Sequence, residues 1–431
     1  MNLAALVGVL FFAVGVAASI ALHEVGHLLP AKRFGVKVTQ YMVGFGPTVW
    51  SRRRGETEYG LKAVPLGGYI RMIGMFPPKR NAEGQLVHSM ATTGPLQSMV
   101  ESARSQSASE VEPGDEHRVF YKLKTRQKLV VMLGGPTMNL FIAAILFTIA
   151  MSGLGVPQLT TTVEAVVPCV PAVGAVECAD TDPQSPAVAA GVQAGDVVVA
   201  IDGQPVSDWT VAADQIRASG GEQVTLTVVR DGVEQDLTVD VVATQRPSVD
   251  DPTTYVDAGF VGIRPSLEQV REPVTAVPAQ MWDFGVRSGQ AVLSIPSKMV
   301  GVWQAAFGDA ERDITGPVSV VGVGRFSAEV AADQASISWR LSNLLMLLAA
   351  LNMALFLFNL IPLLPLDGGH VAGALYEGAK REVAKWRHRP DPGPVDVAKA
   401  LPLAYAVAFV LIGMSALLIY ADVVNPIKLS G

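Results

Sequence analysis

Charged residues are scarce in this chain of 431 residues: Asp, Glu, Lys and Arg together make up 17%, whereas hydrophobic residues make up 50%. Four long stretches contain no charged residue at all, and about 20 apolar residues in a helix are enough to cross a bilayer. The sequence therefore predicts a multi-pass α-helical membrane protein. We expect its four transmembrane helices at residues 1–29, 127–153, 340–366 and 400–421.

Other absences narrow the class of protein further. No basic residue precedes the first apolar run, whereas a secretory signal peptide begins with a basic region and has a shorter apolar run. We therefore interpret residues 1–29 as a transmembrane helix. With a net charge of −6, the chain gives no indication of nucleic-acid binding.

The few charges are unevenly distributed among the segments between the predicted helices. Residues 30–128 contain 16 Lys or Arg against 8 Asp or Glu, residues 153–340 contain 10 against 24, and residues 367–399 contain 6 against 5. Loops rich in Lys and Arg stay in the cytoplasm. We therefore expect a protein of the cell membrane whose loops 30–126 and 367–399 are cytoplasmic, with both termini and the long acidic segment outside.

The first predicted helix carries His23, Glu24 and His27 in the pattern His-Glu-x-x-His. Residues four apart lie on one face of a helix, so both imidazoles can bind one zinc ion, and the adjacent glutamate can act as the base of a hydrolase. Ionisable side chains are costly within a membrane span and usually mark a functional site. The cytoplasmic end of the first helix is therefore the candidate active site.

The second predicted helix contains Gly134, Gly135 and Pro136, followed by a polar residue, Asn139. Gly-Gly-Pro within an apolar run predicts a bend or close backbone packing. We expect Asn139 to hydrogen-bond a neighbouring helix more readily than a substrate.

The cytoplasmic loop contains a stretch, residues 57–75, in which apolar and polar residues alternate on either side of Pro65-Leu66-Gly67-Gly68. This pattern predicts a β-hairpin associated with the membrane. The hairpin could bind an unwound substrate by strand addition, with Gly67 and Gly68 as substrate-binding residues. A purely structural hairpin is the alternative.

Beyond the second helix the pattern changes to short alternating strands at residues 161–167, 197–201, 224–230 and 235–242. Together with Gly191, the run Gly195-Asp196 and the turn Ile201-Asp202-Gly203, these make residues 158–246 resemble a PDZ domain, an inserted extracytoplasmic α+β domain that binds peptide ends. The chain's only two cysteines, Cys169 and Cys178, lie in this segment and could form a disulfide or remain thiols. Residues 247–339 are interpreted as an extracytoplasmic amphipathic segment, in which residues 272–338 form amphipathic helices that lie at the membrane surface.

The third predicted helix ends in Asn359-x-x-Pro362 and Leu366-Asp367-Gly368-Gly369-His370. Two prolines and two glycines predict an unwound end, on the same side of the membrane as His27. A catalytic zinc site needs three protein ligands and an open position. Asp367 is the preferred third ligand, with His370 as a competitor, and Asp367 could instead cap a helix.

Together with the PDZ-like insert, these motifs make the chain resemble the site-2 protease family of intramembrane zinc metalloproteases, and within it the bacterial, actinobacterial type that cleaves anti-sigma factors. The resemblance implies zinc ligands at His23, His27 and Asp367, a catalytic glutamate at Glu24, and a substrate-binding asparagine at Asn359. The better-known enterobacterial members have two PDZ domains, whereas this sequence has one such pattern.

The activity implied is hydrolysis of a peptide bond in the transmembrane helix of a regulatory protein, such as a single-pass anti-sigma factor, during envelope stress signalling. The expected cofactor is zinc, and the expected partners are the membrane-protein substrate and the lipid bilayer. Two alternatives are a zinc-dependent membrane protease of a different fold and a non-catalytic adaptor that uses the PDZ-like domain.

Overall fold

The computed structural model describes residues 3–78, 95–173, 178–179, 181–248, 254–308, 312–313 and 316–427. The chain divides into two compact units, one formed by Met1–Leu154 with Glu272–Gly431 and the other by Gly155–Arg271. Its helices are α1 (Leu3–Arg33), α2 (Pro95–Ser109), α3 (Thr125–Thr148), α4 (Pro186–Ala189), α5 (Trp209–Ala218), α6 (Val277–Phe307), α7 (Val320–Ala332), α8 (Ile337–Leu360), α9 (Asp367–Trp386) and α10 (Leu401–Val424).

The strands fall into separate sheets. They are β1 (Val38–Arg54), β2 (Thr57–Met72), β3 (Val156–Val166), β4 (Val197–Ile201), β5 (Gln204–Pro205), β6 (Gln223–Arg230), β7 (Val233–Asp240), β8 (Val242–Pro247), β9 (Tyr255–Phe260) and β10 (Ile263–Val270). β1 and β2 form one sheet of the first unit. In the second unit the sheet order is β10-β3-β4-β6-β7, with β5 paired to β4, and β8 pairs with β9.

Within the described ranges, four helices are long and apolar enough to cross a membrane, which confirms the number that the uncharged stretches predicted. They are α1, α3 with its continuation to Leu154, α8, and α10 with the turn that precedes it from Val397. The first runs to Arg33, past the predicted end at residue 29. The third ends at Leu360, because Pro362 and Pro365 cannot continue the helical hydrogen bonds.

Helices α1 and α3 cross with their backbones in contact. A Cβ atom placed on Gly26 would lie 2.7 Å from the carbonyl carbon of Gly134, so neither position has room for a larger residue. Small residues at a helix crossing let backbones approach within a membrane. The close packing expected from the Gly-Gly-Pro run is therefore confirmed.

The β1–β2 sheet lies against α1, and a tight turn at Gly55 and Glu56 joins its two strands. Val43 lies opposite both Leu61 and Gly68, so the residues before and after Pro65–Gly68 pair with the same part of β1. Register shifts within the pair place Tyr59 opposite both Tyr41 and Arg52. The Tyr41 hydroxyl donates to the Ala21 carbonyl at 2.7 Å, which fixes the sheet to the helix.

The second unit has its own apolar core, formed by residues of β3, β4, β6 and β7 together with Ala212 and Ile216 of α5. The strands predicted between residues 161 and 242 are present. A disulfide joins Cys169 and Cys178, so the thiol alternative was wrong.

The amphipathic segment expected at residues 247–339 begins within the second unit. Residues 242–247 form β8, residues 255–260 form β9 and residues 263–270 form β10, which pairs with β3. The helical part of the segment begins near residue 274 and comprises α6 and α7. Trp282, Leu293 and Trp303 of α6 are largely exposed. Their position at a membrane surface stays a prediction.

The buried carboxylate of Asp196 accepts hydrogen bonds that stabilise the second unit. Arg230 donates to both of its oxygens at 2.7 Å, and the Gln193 amide donates at 2.8 Å. The hydrogen bonds from Arg230 hold the pKa of Asp196 below its usual value. Because the pKa is lower in the folded than in the unfolded state, the stabilisation is present above the unfolded pKa near 3.9 and is lost as the pH falls through the folded value.

We therefore expect Asp196→Asn to lower the unfolding free energy of segment 155–271 by about 2 kcal/mol at pH 7. The difference from the wild type should shrink on acidification below pH 4. Thermal unfolding at pH 7 and pH 3 measures both effects, with Glu234→Gln on the exposed face of β7 as the control. An equal loss of stability at both pH values would contradict the ion-pair explanation.

Candidate active site

The C-terminal half of α1 presents His23, Glu24 and His27 on adjoining positions of one helical face. Glu24 and His27 are buried. The Nε2 atoms of His23 and His27 lie 3.2 Å apart, as expected for residues four apart that point to a common position. The pattern predicted from the sequence is therefore present with the geometry that metal binding requires.

Asp367 is the first residue of α9, and its Oδ2 atom lies 3.3 Å from Nε2 of both histidines. The segment between Leu360 and Asp367 is non-helical, as predicted, and folds tightly: a Cβ on Gly369 would lie 2.6 Å from the Leu364 nitrogen. Of the described residues, His23, His27 and Asp367 are the ones that form a group able to hold a metal ion. His370, the competing candidate, is not in this group.

These three donor atoms fit zinc. Ligands about 2.0–2.1 Å from a tetrahedral zinc ion lie about 3.3 Å from one another, which matches the observed separations of 3.2 and 3.3 Å. Oδ2 of Asp367 is also buried without a hydrogen-bond partner among the described residues. A cation between the three atoms would satisfy it and leave a fourth position open for water.

The outer nitrogens of both histidines are held by α3. Nδ1 of His27 lies 2.7 Å from the Val131 carbonyl, so it carries the proton and leaves Nε2 free as a ligand. Nδ1 of His23 lies 3.1 Å from the Asn139 amide nitrogen. Asn139 thus contacts a neighbouring helix, as the sequence indicated.

The Asn139 carboxamide has a second orientation that suits the metal-bound state. Its Oδ1 atom is buried without a partner within the described ranges. When Nε2 of His23 binds a cation, Nδ1 carries the proton and needs an acceptor. A half-turn of the carboxamide brings Oδ1 to that position, so zinc binding would satisfy both Asn139 and Asp367.

β2 lies over the glutamate. A Cβ on Gly68 would lie 3.0 Å from Cγ of Glu24. Gly67 has a positive φ of 98°, and a side chain there would meet Phe45. Of the predicted substrate-binding residues, Gly68 is therefore next to the base. Asn359 lies in the last turn of α8, and its role stays a prediction.

Sequence reasoning did not identify Val131 or the full role of Gly135. A Cβ on Gly135 would lie 2.7 Å from Nε2 of His23 and nearer still to Nε2 of His27. The Gly-Gly-Pro run signalled close packing, but only the tertiary structure identifies histidine rings as the packing partner.

We therefore expect Gly135→Ala to lower zinc content strongly, because the added methyl group occupies the space of the imidazoles. Metal analysis of the purified protein measures the effect. Gly153→Ala is the matched control, since a Cβ at Gly153 meets no atom within 4 Å. Full zinc content in the Gly135→Ala protein would contradict the site geometry described above.

Comparison with known proteins identifies the family of this chain. The model of peptidase family M50 matches residues 11–389. The chain is 35% identical to the zinc metalloprotease Rip1 of Mycobacterium tuberculosis over 98% of both chains. It is 34% identical to Rip1 of Mycolicibacterium smegmatis over 98% of both. It is 26% identical to the zinc metalloprotease RasP of Geobacillus kaustophilus over 84% of this chain and 87% of that protein.

The family model covers most of the chain, and the Rip1 relatives match nearly its full length. Both findings agree with the cluster of two histidines and one aspartate beside a glutamate. The alternative of a zinc protease with a different fold is therefore wrong. The chain belongs to peptidase family M50, the site-2 protease family, and is a zinc metalloprotease.

Proposed function

We propose that this protein hydrolyses a peptide bond within the transmembrane segment of a regulatory protein, close to the cytoplasmic face of the membrane. The observation that supports it most is the position of Glu24. This carboxylate lies beside the three-ligand cluster and beneath Gly68 of β2, at the end of a membrane-spanning helix. An extended chain lying along β2 would pass over the base and the ligands together.

His23, His27 and Asp367 would hold the zinc ion, which when bound supplies a Lewis acid for a carbonyl oxygen and a water molecule. Glu24 takes one proton from the attacking water as its oxygen bonds to the carbonyl carbon. Glu24 then returns the proton to the leaving nitrogen as the carbon–nitrogen bond breaks, which yields a carboxylic acid and an amine. Transfer of the remaining acid proton to the amine gives the carboxylate and the ammonium group.

The substrate helix must unwind before its carbonyls are available, since they are hydrogen-bonded within the helix. Among the described residues, Gly68–Met72 pairs with β1, and Gly68 has no side chain to block approach. We propose that backbone groups around Gly67 and Gly68 hold the substrate extended. Asn359 is also proposed to contact the substrate backbone.

The charge distribution supports a multi-pass orientation in the cell membrane. The segment between α1 and α3 is basic and would be cytoplasmic, whereas residues 155–271 are acidic and would lie outside together with both termini. We infer that the substrate is a single-pass membrane protein such as an anti-sigma factor, in regulated intramembrane proteolysis during envelope stress. The named relatives are zinc metalloproteases, which supports peptide-bond hydrolysis as the reaction. The PDZ-like character of residues 155–271 supports a role of that segment in selecting the substrate.

Replacing Glu24 with Gln should leave zinc bound while slowing cleavage by about 10²- to 10⁴-fold, because the amide cannot accept the proton. Replacing Asp367 with Ala should instead remove zinc. Metal content and cleavage of a tagged transmembrane peptide are measured on the same preparations. His370→Ala is the control for the third ligand and should retain zinc. Normal turnover by the Glu24→Gln protein would refute the mechanism.

Residues 155–271 should select substrates and take no part in the chemistry. The Glu272 amide donates to the Met151 carbonyl at 3.0 Å, so the ends of the first unit are adjacent and a short flexible bridge can replace the second unit. We expect the shortened protein to cleave a substrate with a short external tail at the wild-type rate. It should also accept a substrate with a folded external domain, which the wild type refuses.

Parallel cleavage assays with the two substrates decide between selection and docking. If the shortened protein retains zinc and its fold but no longer cleaves the short-tailed substrate, residues 155–271 are a required docking platform and not a filter.

A further inference from the structure

The three zinc ligands come from two helices that are held together through a third. α1 supplies both histidines and α9 supplies Asp367, while α3 packs extensively against both. α3 contacts α1 through Gly134 and orients the histidines through Val131 and Asn139. The distance between Asp367 and the histidines therefore depends on how α9 is fixed to α3.

A buried ion pair makes that connection. Nζ of Lys128 on α3 lies 2.9 and 2.8 Å from the two carboxylate oxygens of Glu377 on α9. Their side chains are 6% and 3% exposed. Next to the pair, a Cβ on Gly378 would lie 2.9 Å from Cγ2 of Thr125, so the two helices approach closely there.

Two further groups donate hydrogen bonds to the Glu377 carboxylate. Neither of them comes from α3. The Val395 amide donates to one oxygen at 3.0 Å. Arg381, one turn further along α9, lies 3.1 Å from the other. Lys128 is thus the partner from α3, whereas Arg381 belongs to the same helix as Glu377.

Lys128, Gly135 and Asn139 are spaced by seven and four residues, so they share one face of α3. One end of that face contacts the histidines and the other end contacts Glu377. Glu377 follows Asp367 by ten residues, about 15 Å along the axis of α9. A change in the attachment at Glu377 would tilt α9 and displace Asp367.

We propose that Lys128 and Glu377 are positioning residues for the zinc site: their ion pair sets the placement of α9 on α3 and hence the distance of Asp367 from His23 and His27. This proposal rests on the proposed zinc-dependent function. Neither side chain belongs to the group of His23, His27 and Asp367. Removing one partner of a buried pair leaves the other charge uncompensated, which favours a shift of the helices.

Lys128→Met severs the link to α3 but leaves Glu377 with Arg381 and Val395. We expect zinc affinity to fall about 10-fold or more, the range found for groups that orient metal ligands. Lys128→Arg keeps the charge and should retain the wild-type affinity. Arg381→Met is the matched control, since Glu377 loses a cationic partner on its own helix, and the affinity should not change.

The measurement is competition for zinc between a chelator and the full-length protein in detergent, on the folded, monodisperse fraction of each variant. Asp422→Asn provides a comparison for general destabilisation, because Arg312 and Asp422 form another buried pair, joining α10 to the segment before α7. If the pair serves only stability, Lys128→Met and Asp422→Asn should bind zinc equally well, and the proposal is overturned.

If Lys128→Met does not fold, Lys128→Gln is used instead, and an unchanged zinc affinity in that protein overturns the proposal.

Different results would refute the proposed function. Absence of zinc binding by the wild type, or full binding by Asp367→Ala, would refute the site itself. Wild-type binding with an unaffected Lys128→Met protein refutes only the positioning role.

Discussion

Contact between the backbones of α1 and α3, at Gly26 and Gly134, brings the two histidines against the helix that orients them. At this distance the Val131 carbonyl and the Asn139 amide reach the outer nitrogens of the imidazoles. Gly135 leaves the space that the rings occupy. A larger residue at any of these glycines would separate the helices and leave the histidines without their hydrogen-bond partners.

Several polar groups within the apolar helices pair with neighbouring helices, because hydrocarbon offers no other partner. The Asn352 side chain of α8 donates to Ser19 of α1 at 2.9 Å. Lys128 and Glu377 join α3 to α9 in the same way. In the active site, buried oxygens of Asp367 and Asn139 have no partner within the described residues. Zinc binding would give both of these oxygens a partner.

The two units divide the work of the protein. The first contains the proposed zinc ligands, the proposed base and the sheet that lies over them. The second has its own core and its own ion pair between Asp196 and Arg230, and none of its described residues belongs to the metal cluster. Such independence is consistent with a domain that selects substrates and leaves the reaction to the membrane helices.

The sequence determined the features that depend on local spacing. His23, Glu24 and His27 are placed by the helical repeat alone, and the four membrane-spanning helices follow from the absence of charge. The unwound end of α8 follows from two prolines.

Only the tertiary structure decided features that depend on distant residues. Both Asp367 and His370 suited the third ligand position, and the choice lies in how α9 sits on α3. Val43 of β1 lies opposite both Leu61 and Gly68 of β2, and the local alternation of residues 57–75 does not specify that partner. β10 pairs with β3 across about a hundred residues, and local alternation carries no information about a partner that far away along the chain.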